Sequence, residues 1–201
     1  MAEDQLIIYC NCAWYDIISE DVKGRVLESL KDSGARFVAV ADLCKMAAEK
    51  DPILKEWAKA DSVKIVACFR RAIRCLFDFA GAKLGEDAVV YNMRTQTGEE
   101  IIGGLGGNAD TQEPPDDVSL EKEGDWAPWF PVIDYGRCVN CKQCLNFCLF
   151  GVYALSDDGN VEVVKPVNCK TNCPACARVC PESAIVFPKY ADSPINGDAV
   201  D

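Results

Sequence analysis

The chain has 201 residues, a formal net charge of −11, 13 cysteines and no histidine. The length suits one ordinary domain or a mid-sized domain joined to a small one. The acidic balance, −4 over residues 1–110 and −7 over 111–201, repels phosphate backbones and anionic lipid; this argues against nucleic acid and favours docking on a basic patch of a protein partner.

The opening residues, MAEDQLIIYCN, carry no basic n-region and only a short apolar run. Neither a secretory signal nor a membrane span is therefore expected, and a cytoplasmic location is. In a reducing compartment, crowded cysteines are read as metal ligands or reactive thiols before disulfides, and an odd total fits a paired scaffold poorly.

Residues 5–92 alternate short apolar runs with amphipathic stretches, the pattern of a small parallel sheet covered by helices. Four strands are expected, at Leu6–Cys10, Arg36–Ala41, Ser62–Cys68 and Ala88–Asn92. The first helix is expected over Glu20–Asp32, with Ser19 as N-cap and Gly34 beyond its end, burying Val22, Val26, Leu27 and Leu30. Asp42 suits the cap of a helix over Leu43–Glu49, and Asp51-Pro52 opens another across Ile53–Ala60. Arg70–Leu84 repeats Ile73, Leu76, Phe77 and Ala80 at helical spacing. Residues 1–97 thus read as an α/β domain.

From 98 to 129 the pattern fails. GGLGGN supplies flexible backbone and DTQEPPDDVSLEKEGD is polar, acidic and proline-containing, so 98–129 reads as a linker. Trp126, Trp129 and Phe130 are too apolar for a free tether, and their end of the linker is expected to pack on a neighbouring domain or another subunit. Residues 191–201 read as a flexible tail.

Eight cysteines crowd between 138 and 180. Cys138, Cys141, Cys144 and Cys148 follow C-x2-C-x2-C-x3-C, and Cys169, Cys173, Cys176 and Cys180 follow C-x3-C-x2-C-x3-C-P. The second run nearly repeats the first, and CLFGVYAL parallels CPESAIVF after it. Three thiolates on a tight loop reach three irons of one cubane while the fourth faces the other cluster. On this rule iron is held by Cys138, Cys141, Cys144 and Cys180 in one cluster, and by Cys169, Cys173, Cys176 and Cys148 in the other. A pair of tetrahedral zinc sites is the alternative, but such sites typically pair two C-x2-C knuckles. LSDDGNVEVVKP between the halves reads as a hairpin with Asp158-Gly159 at its turn.

With these motifs, residues 130–190 resemble bacterial two-cluster ferredoxins, including Cys180-Pro181. The resemblance implies a small α+β ferredoxin-like domain with two 4Fe-4S clusters. Two departures are Leu149 after Cys148, where that family usually has proline, and the three residues KTN between Cys169 and Cys173. Both bear on hydrogen bonding around the clusters and hence on potential.

In a parallel sheet, Cys10 and Cys68 end the first and third strands, Cys12 follows in the first loop and Cys44 lies just beyond the second strand. All four fall at the carboxyl edge, where α/β folds build sites. They form a candidate site for a third cluster, with Lys45, Arg70 and Arg71 placed to offset its charge. Cys75, on a helix face with Ala72, Leu76 and Phe79, reads as a buried small hydrophobe. The order IYCNCAW, ADLC, VACFRRAIRCLF and YNMRTQ over residues 5–97 resembles the N-terminal domain of heterodisulfide-reductase-A-like proteins, where the same order of cysteines recurs. The resemblance stops short of a flavin, since no G-x-G-x-x-G follows a strand.

No histidine and no nucleophile–base pair leave little machinery for acid–base catalysis, so no catalytic residue is expected. The expected role is an electron-transfer subunit relaying single electrons to or from a flavin- or metal-bearing partner, heterodisulfide-reductase-like or otherwise. The alternatives are an iron–sulfur redox sensor or scaffold, and a subunit that binds a small molecule at the sheet edge.

Overall fold

The computed structural model describes residues 5–106 and 118–200. Its N-terminal half follows the expected alternation: β1 (Gln5–Cys10), α1 (Glu20–Asp32), β2 (Phe37–Val40), α2 (Leu43–Glu49), α3 (Ile53–Trp57), β3 (Ser62–Ala67), α4 (Arg70–Phe79) and β4 (Val89–Asn92). The strands form a parallel sheet in the order β4-β3-β1-β2, with β1 at its centre between Ile7↔Phe37 and Ile7↔Lys64 partners. A strand covered on both faces reads as a continuous apolar run. The side chains of β1 divide accordingly, Leu6, Ile8 and Cys10 joining the core under α2–α4, and Ile7 and Tyr9 joining the core under α1.

Local chemistry sets the helix boundaries. Asp42 caps α2, its carboxylate accepting from the Cys44 and Lys45 amides at 2.9 and 3.2 Å. Ser19 occupies the N-cap position of α1 without a side-chain capping bond, and Val22 and Leu27 are half-buried while Val26 and Leu30 are buried. Helix α4 stops at Phe79, short of the expected Leu84, because the chain turns at Gly81 with φ +74°, a conformation that favours glycine.

The start of the expected linker is instead a helix, α5 (Gly98–Leu105). The Thr97 hydroxyl accepts from the Glu100 amide at 3.3 Å and the Glu100 carboxylate accepts from the Thr97 amide at 2.8 Å, a reciprocal capping box. Ile101 and Leu105, one turn apart, are buried beside α1. Residues 107–117, which include the first half of the acidic stretch, lie outside the described residues. At 118 the chain re-enters the sheet as β5 (Val118–Ser119), parallel to β2.

The C-terminal half is a small region of short elements: β6 (Val132–Ile133), α6 (Gln143–Phe147), β7 (Tyr153–Leu155), β8 (Val161–Val163), α7 (Ala175–Arg178) and β9 (Ile185–Val186). Strands β6 and β9 pair antiparallel, and β7 and β8 form the expected hairpin with Gly159 at φ +76° in its turn.

The two halves share one core. Phe130, Val132 and Val186 pack into the cluster that holds Ile73, Leu76 and Phe77 of α4. Trp129 is buried against Phe187 and Tyr15, with ring centroids 5.4 and 5.9 Å apart, and Phe130 meets Phe79 at 5.4 Å. The aromatic segment therefore packs within the chain. Arg71 clamps the seam: Nε donates to Asp134 at 2.7 Å, Nη1 to the Pro194 and Asp198 carbonyls, and Nη2 to the Ser183 carbonyl. Residues 191–200, expected as a flexible tail, lie against α4, where a side chain on Gly197 would meet Ala72 Cβ at 2.5 Å. Polar composition concealed this, because the anchoring groups are backbone carbonyls.

Removing one member of a largely buried ion pair leaves the other uncompensated and costs about 3 kcal/mol. Arg71→Met is expected to raise amide exchange across 183–198 roughly a hundredfold, while β1 and β3 keep their protection. Unchanged exchange in that segment would exclude Arg71 as the clamp.

Candidate iron–sulfur centres

The folded chain sorts twelve of its thirteen cysteines into three cavities. Cys138, Cys141, Cys144 and Cys180 line one with ≈330 Å³ of atom-free space. Cys148, Cys169, Cys173 and Cys176 line a second, more open one of ≈1100 Å³. Cys10, Cys12, Cys44 and Cys68 line a third of ≈300 Å³ at the carboxyl edge of the parallel sheet. Cys75 is buried on α4 and faces none of them.

The two C-terminal loops repeat in conformation as well as spacing. Asn140 and Asn172, each just before the second cysteine of its run, hold left-handed backbone at φ 53° and 60°. Asparagine tolerates that conformation better than most residues. The extra residue of the KTN segment is thus absorbed ahead of Asn172, and the turn into Cys173 is kept. Asn140 also ties its loop to the hairpin: its amide donates to the Gly159 carbonyl at 2.9 Å, and its oxygen accepts from the Val161 amide at 3.0 Å.

In the N-terminal site, Cys10 closes β1, Cys12 follows with left-handed backbone at φ 49°, Cys44 sits in the first turn of α2, and Cys68 follows β3. Left-handed backbone at a non-glycine residue costs of order 1 kcal/mol and is tolerated where surrounding structure fixes it. Here the flanking amides do so, Asn11 N donating to the Val40 carbonyl and Ala13 N to the Ala41 carbonyl, both at 2.9 Å.

Burial pushes the Cys10, Cys12 and Cys44 thiols upward and lifts Cys68 to about 12. It also raises Cys169 and Cys176 to about 12 and Cys144 to about 11. Such thiols stay protonated unless a cationic group replaces the proton, as a metal does on binding. Several sulfurs already receive donors: Leu43 N to Cys10 Sγ and Ala184 N to Cys180 Sγ at 3.3 Å, and the Tyr153 hydroxyl to Cys176 Sγ at 3.1 Å. Donors aimed at sulfur suit a thiolate, and the donor sets fit iron–sulfur groups. Among the described residues, no three His, Cys, Asp or Glu side chains are grouped to hold a single metal ion. The cysteines wall cavities instead of meeting at a point.

The expected counter-charges lie elsewhere. Lys45 pairs with Glu49 at 2.8 Å, Arg70 donates to the Glu86 carbonyl and Arg71 serves the seam. Two cations serve the N-terminal site: Arg94, whose guanidinium lies over the Phe69 ring and acts on Cys68 and Cys12, and the more deeply buried Lys189, just after β9. Its ammonium is bonded to Asp42, stands 3.5 Å from Cys12 Sγ and lies over the Tyr15 ring at 5.1 Å. Burial opposes its charge, and the cysteine sulfurs when they are thiolates, together with the bonded Asp42 carboxylate, hold it protonated well above the usual lysine range. Only its distance in sequence, 147 residues from Asp42, hid it from pattern reading.

Comparison with known proteins bears on the C-terminal half. Residues 130–184 match the model of the 4Fe-4S dicluster domain. An uncharacterized ferredoxin of Methanocaldococcus jannaschii is 49% identical over 61 residues, 30% of this chain and 41% of that protein. The pyruvate synthase subunit PorD of the same organism is 33% identical over 73 residues, 36% of this chain and 81% of the relative. The ketoisovalerate oxidoreductase subunit VorD of Pyrococcus abyssi is 40% identical over 40 residues, 20% of this chain and 38% of the relative. The C-terminal half is accordingly a ferredoxin-like electron-transfer module that carries 4Fe-4S clusters. No helix among the described residues is long and apolar enough to cross a membrane.

Proposed function

We propose that this chain, which belongs to the 4Fe-4S dicluster ferredoxin family through residues 130–184, is the electron-relay subunit of a larger oxidoreductase and carries three 4Fe-4S clusters. One observation carries the reading: three separate cavities are each ringed by four cysteines from different parts of the fold. Cavities with the same four-cysteine lining suit the same occupant.

When bound, the clusters supply one-electron oxidation and reduction. The protein's share is to hold them apart from water, donate hydrogen bonds to their ligand sulfurs and fix the surrounding charge, the levers that set potential. Cys138, Cys141, Cys144 and Cys180 form one ligand set, and Cys148, Cys169, Cys173 and Cys176 the other. Cys180, which closes the second run, faces the first run's cavity, and Cys148 does the reverse. Cys10, Cys12, Cys44 and Cys68 form the third set, in the order that underlies the resemblance to heterodisulfide-reductase-A-like proteins.

The role as a subunit draws support from relatives named as subunits of pyruvate synthase and ketoisovalerate oxidoreductase. Two-electron chemistry then belongs to a flavin- or metal-bearing partner. The buried Trp129 and Phe130 give no support to a partner interface, since they are spent on the intramolecular core.

Full-length protein prepared anaerobically is expected to hold about twelve irons per chain, three cubanes' worth. Cys68→Ala should reduce this to about eight, and Cys75→Ala should leave it unchanged. About eight irons in the native chain would remove the third cluster. In the C-terminal half, Cys180→Ser should perturb the electron paramagnetic resonance of the cluster that Cys138→Ser also perturbs. Should it share its signature with Cys169→Ser instead, the crossed assignment is wrong. Anaerobic isolation from the native source at low and high salt is expected to recover the chain with a partner under both conditions, and recovery as a lone reducible monomer at both would leave a diffusing shuttle.

A further inference from the structure

Lys189 is 4% exposed, lies five residues beyond the end of the dicluster match, and enters a cavity whose four cysteines all belong to the other half of the chain. Its partner Asp42 is 2% exposed and is already occupied by the Cys44 and Lys45 amides. A lysine serving only to neutralise Asp42 has no reason to stand 3.5 Å from a cysteine sulfur. A second donor attends the same place. The Tyr15 hydroxyl is buried with no hydrogen-bond partner, and its ring supports the Lys189 ammonium.

From this arrangement we infer that Lys189, with Asp42 as its anchor, is the positioning residue that sets the charge around the N-terminal four-cysteine site, so that the ferredoxin half governs how readily that site accepts an electron. The inference rests on the reading that this cavity holds a cluster.

The electrostatics give it a sign. A cluster held by four thiolates is an anion, and one-electron reduction adds a further negative charge. A fixed ammonium beside one ligand sulfur favours the reduced form, and the Asp42 carboxylate behind it opposes that form. Low water access inside the cavity strengthens both effects. Loss of the cation must therefore make reduction harder and loss of the anion make it easier. A role confined to packing predicts no such opposition of signs.

The test uses full-length protein reconstituted anaerobically, with iron analysis and a redox titration followed by electron paramagnetic resonance. Lys189→Met keeps most of the stem and removes the charge. Its N-terminal cluster is expected to become harder to reduce by about tenfold or more, a shift of about 59 mV for a one-electron couple, while the two C-terminal clusters keep their potentials. Lys189→Arg should restore most of the shift. Asp42→Asn retains a capping side chain and should move the same cluster the opposite way. If Lys189→Met loses the N-terminal iron while Lys189→Arg retains it, the requirement for positive charge is upheld in a stronger form. If both lose it, Asp42→Asn decides: a rise in potential supports the inference, and no change overturns it. Unchanged potentials in Lys189→Met and Asp42→Asn with about twelve irons bound reduce the pair to a structural lock. About eight irons in the unsubstituted protein would instead overturn the cluster reading on which the inference stands.

Discussion

The ion pair between Asp42 and Lys189 is the constraint on which the join between the two halves depends. Both side chains are almost wholly removed from water. A buried charge without its partner costs several kcal/mol, so neither residue tolerates a fold in which the other is absent. Asp42 is fixed by its place as the N-cap of α2, two residues after β2 ends and two residues before Cys44. Lys189 is fixed by β9 and by the turn in which Tyr190 N donates to the Phe187 carbonyl at 2.9 Å. Their meeting brings the sheet edge and the ferredoxin half into one body. Arg71 holds the same seam from the far side of α4, and Arg94 adds bonds to the Pro188 and Ala191 carbonyls.

This join decides what kind of molecule results. Two domains on a tether sample many separations, whereas here the cores merge through Phe130, Val132 and Val186. Tyr15, Trp129, Phe187 and Tyr190 fill the space between the N-terminal site and the C-terminal cysteines. Large aromatic side chains exclude water and hold spacing with few rotatable bonds. A redox relay needs these properties, since charge transfer between sites depends on a fixed separation in a medium that does not reorganise.

How much of this was legible in sequence follows from how local each signal is. The four-strand α/β pattern and the capping role of Asp42 were readable because each depends on neighbours within a few residues. The expected ligand sets, Cys148 with the second run and Cys180 with the first, rest on cysteine spacing, and the expected gathering of Cys10, Cys12, Cys44 and Cys68 rests on strand order in a parallel sheet. Helix α5 was hidden by its three glycines, although Thr97 and Glu100 carried a capping-box signature that a search for caps would have caught. The packing of 191–200 and the arrival of Lys189 were not legible, because they depend on contacts more than a hundred residues apart. Lys45, Arg70 and Arg71 were the natural candidates for counter-charge by proximity in sequence. Proximity in sequence chose wrongly because their side chains are claimed by Glu49, by a loop carbonyl and by the seam.

The near-repeat of the two cysteine runs invites the conclusion that their sites are equivalent, and the surroundings argue otherwise. The cavity of Cys138, Cys141, Cys144 and Cys180 is bordered by both Lys142 and Glu182, whereas that of Cys148, Cys169, Cys173 and Cys176 is more open and bordered by Lys170, Phe147, Phe150 and Leu149, the last 91% exposed. Residues 146–156 and 163–181 around the second cavity contain Lys165, Lys170 and Arg178 and no carboxylate, in a chain whose net charge is −11. Charge, exposure and hydrogen bonds to sulfur are the terms that set an iron–sulfur potential. All three differ between the halves: the Tyr153 hydroxyl donates to Cys176 in one, and the Ala184 amide donates to Cys180 in the other. A chain of one-electron carriers has a direction only where its stations differ in potential. On the proposed reading as a relay, the repeat would hold the two clusters and the departures from it would supply the asymmetry that a relay requires.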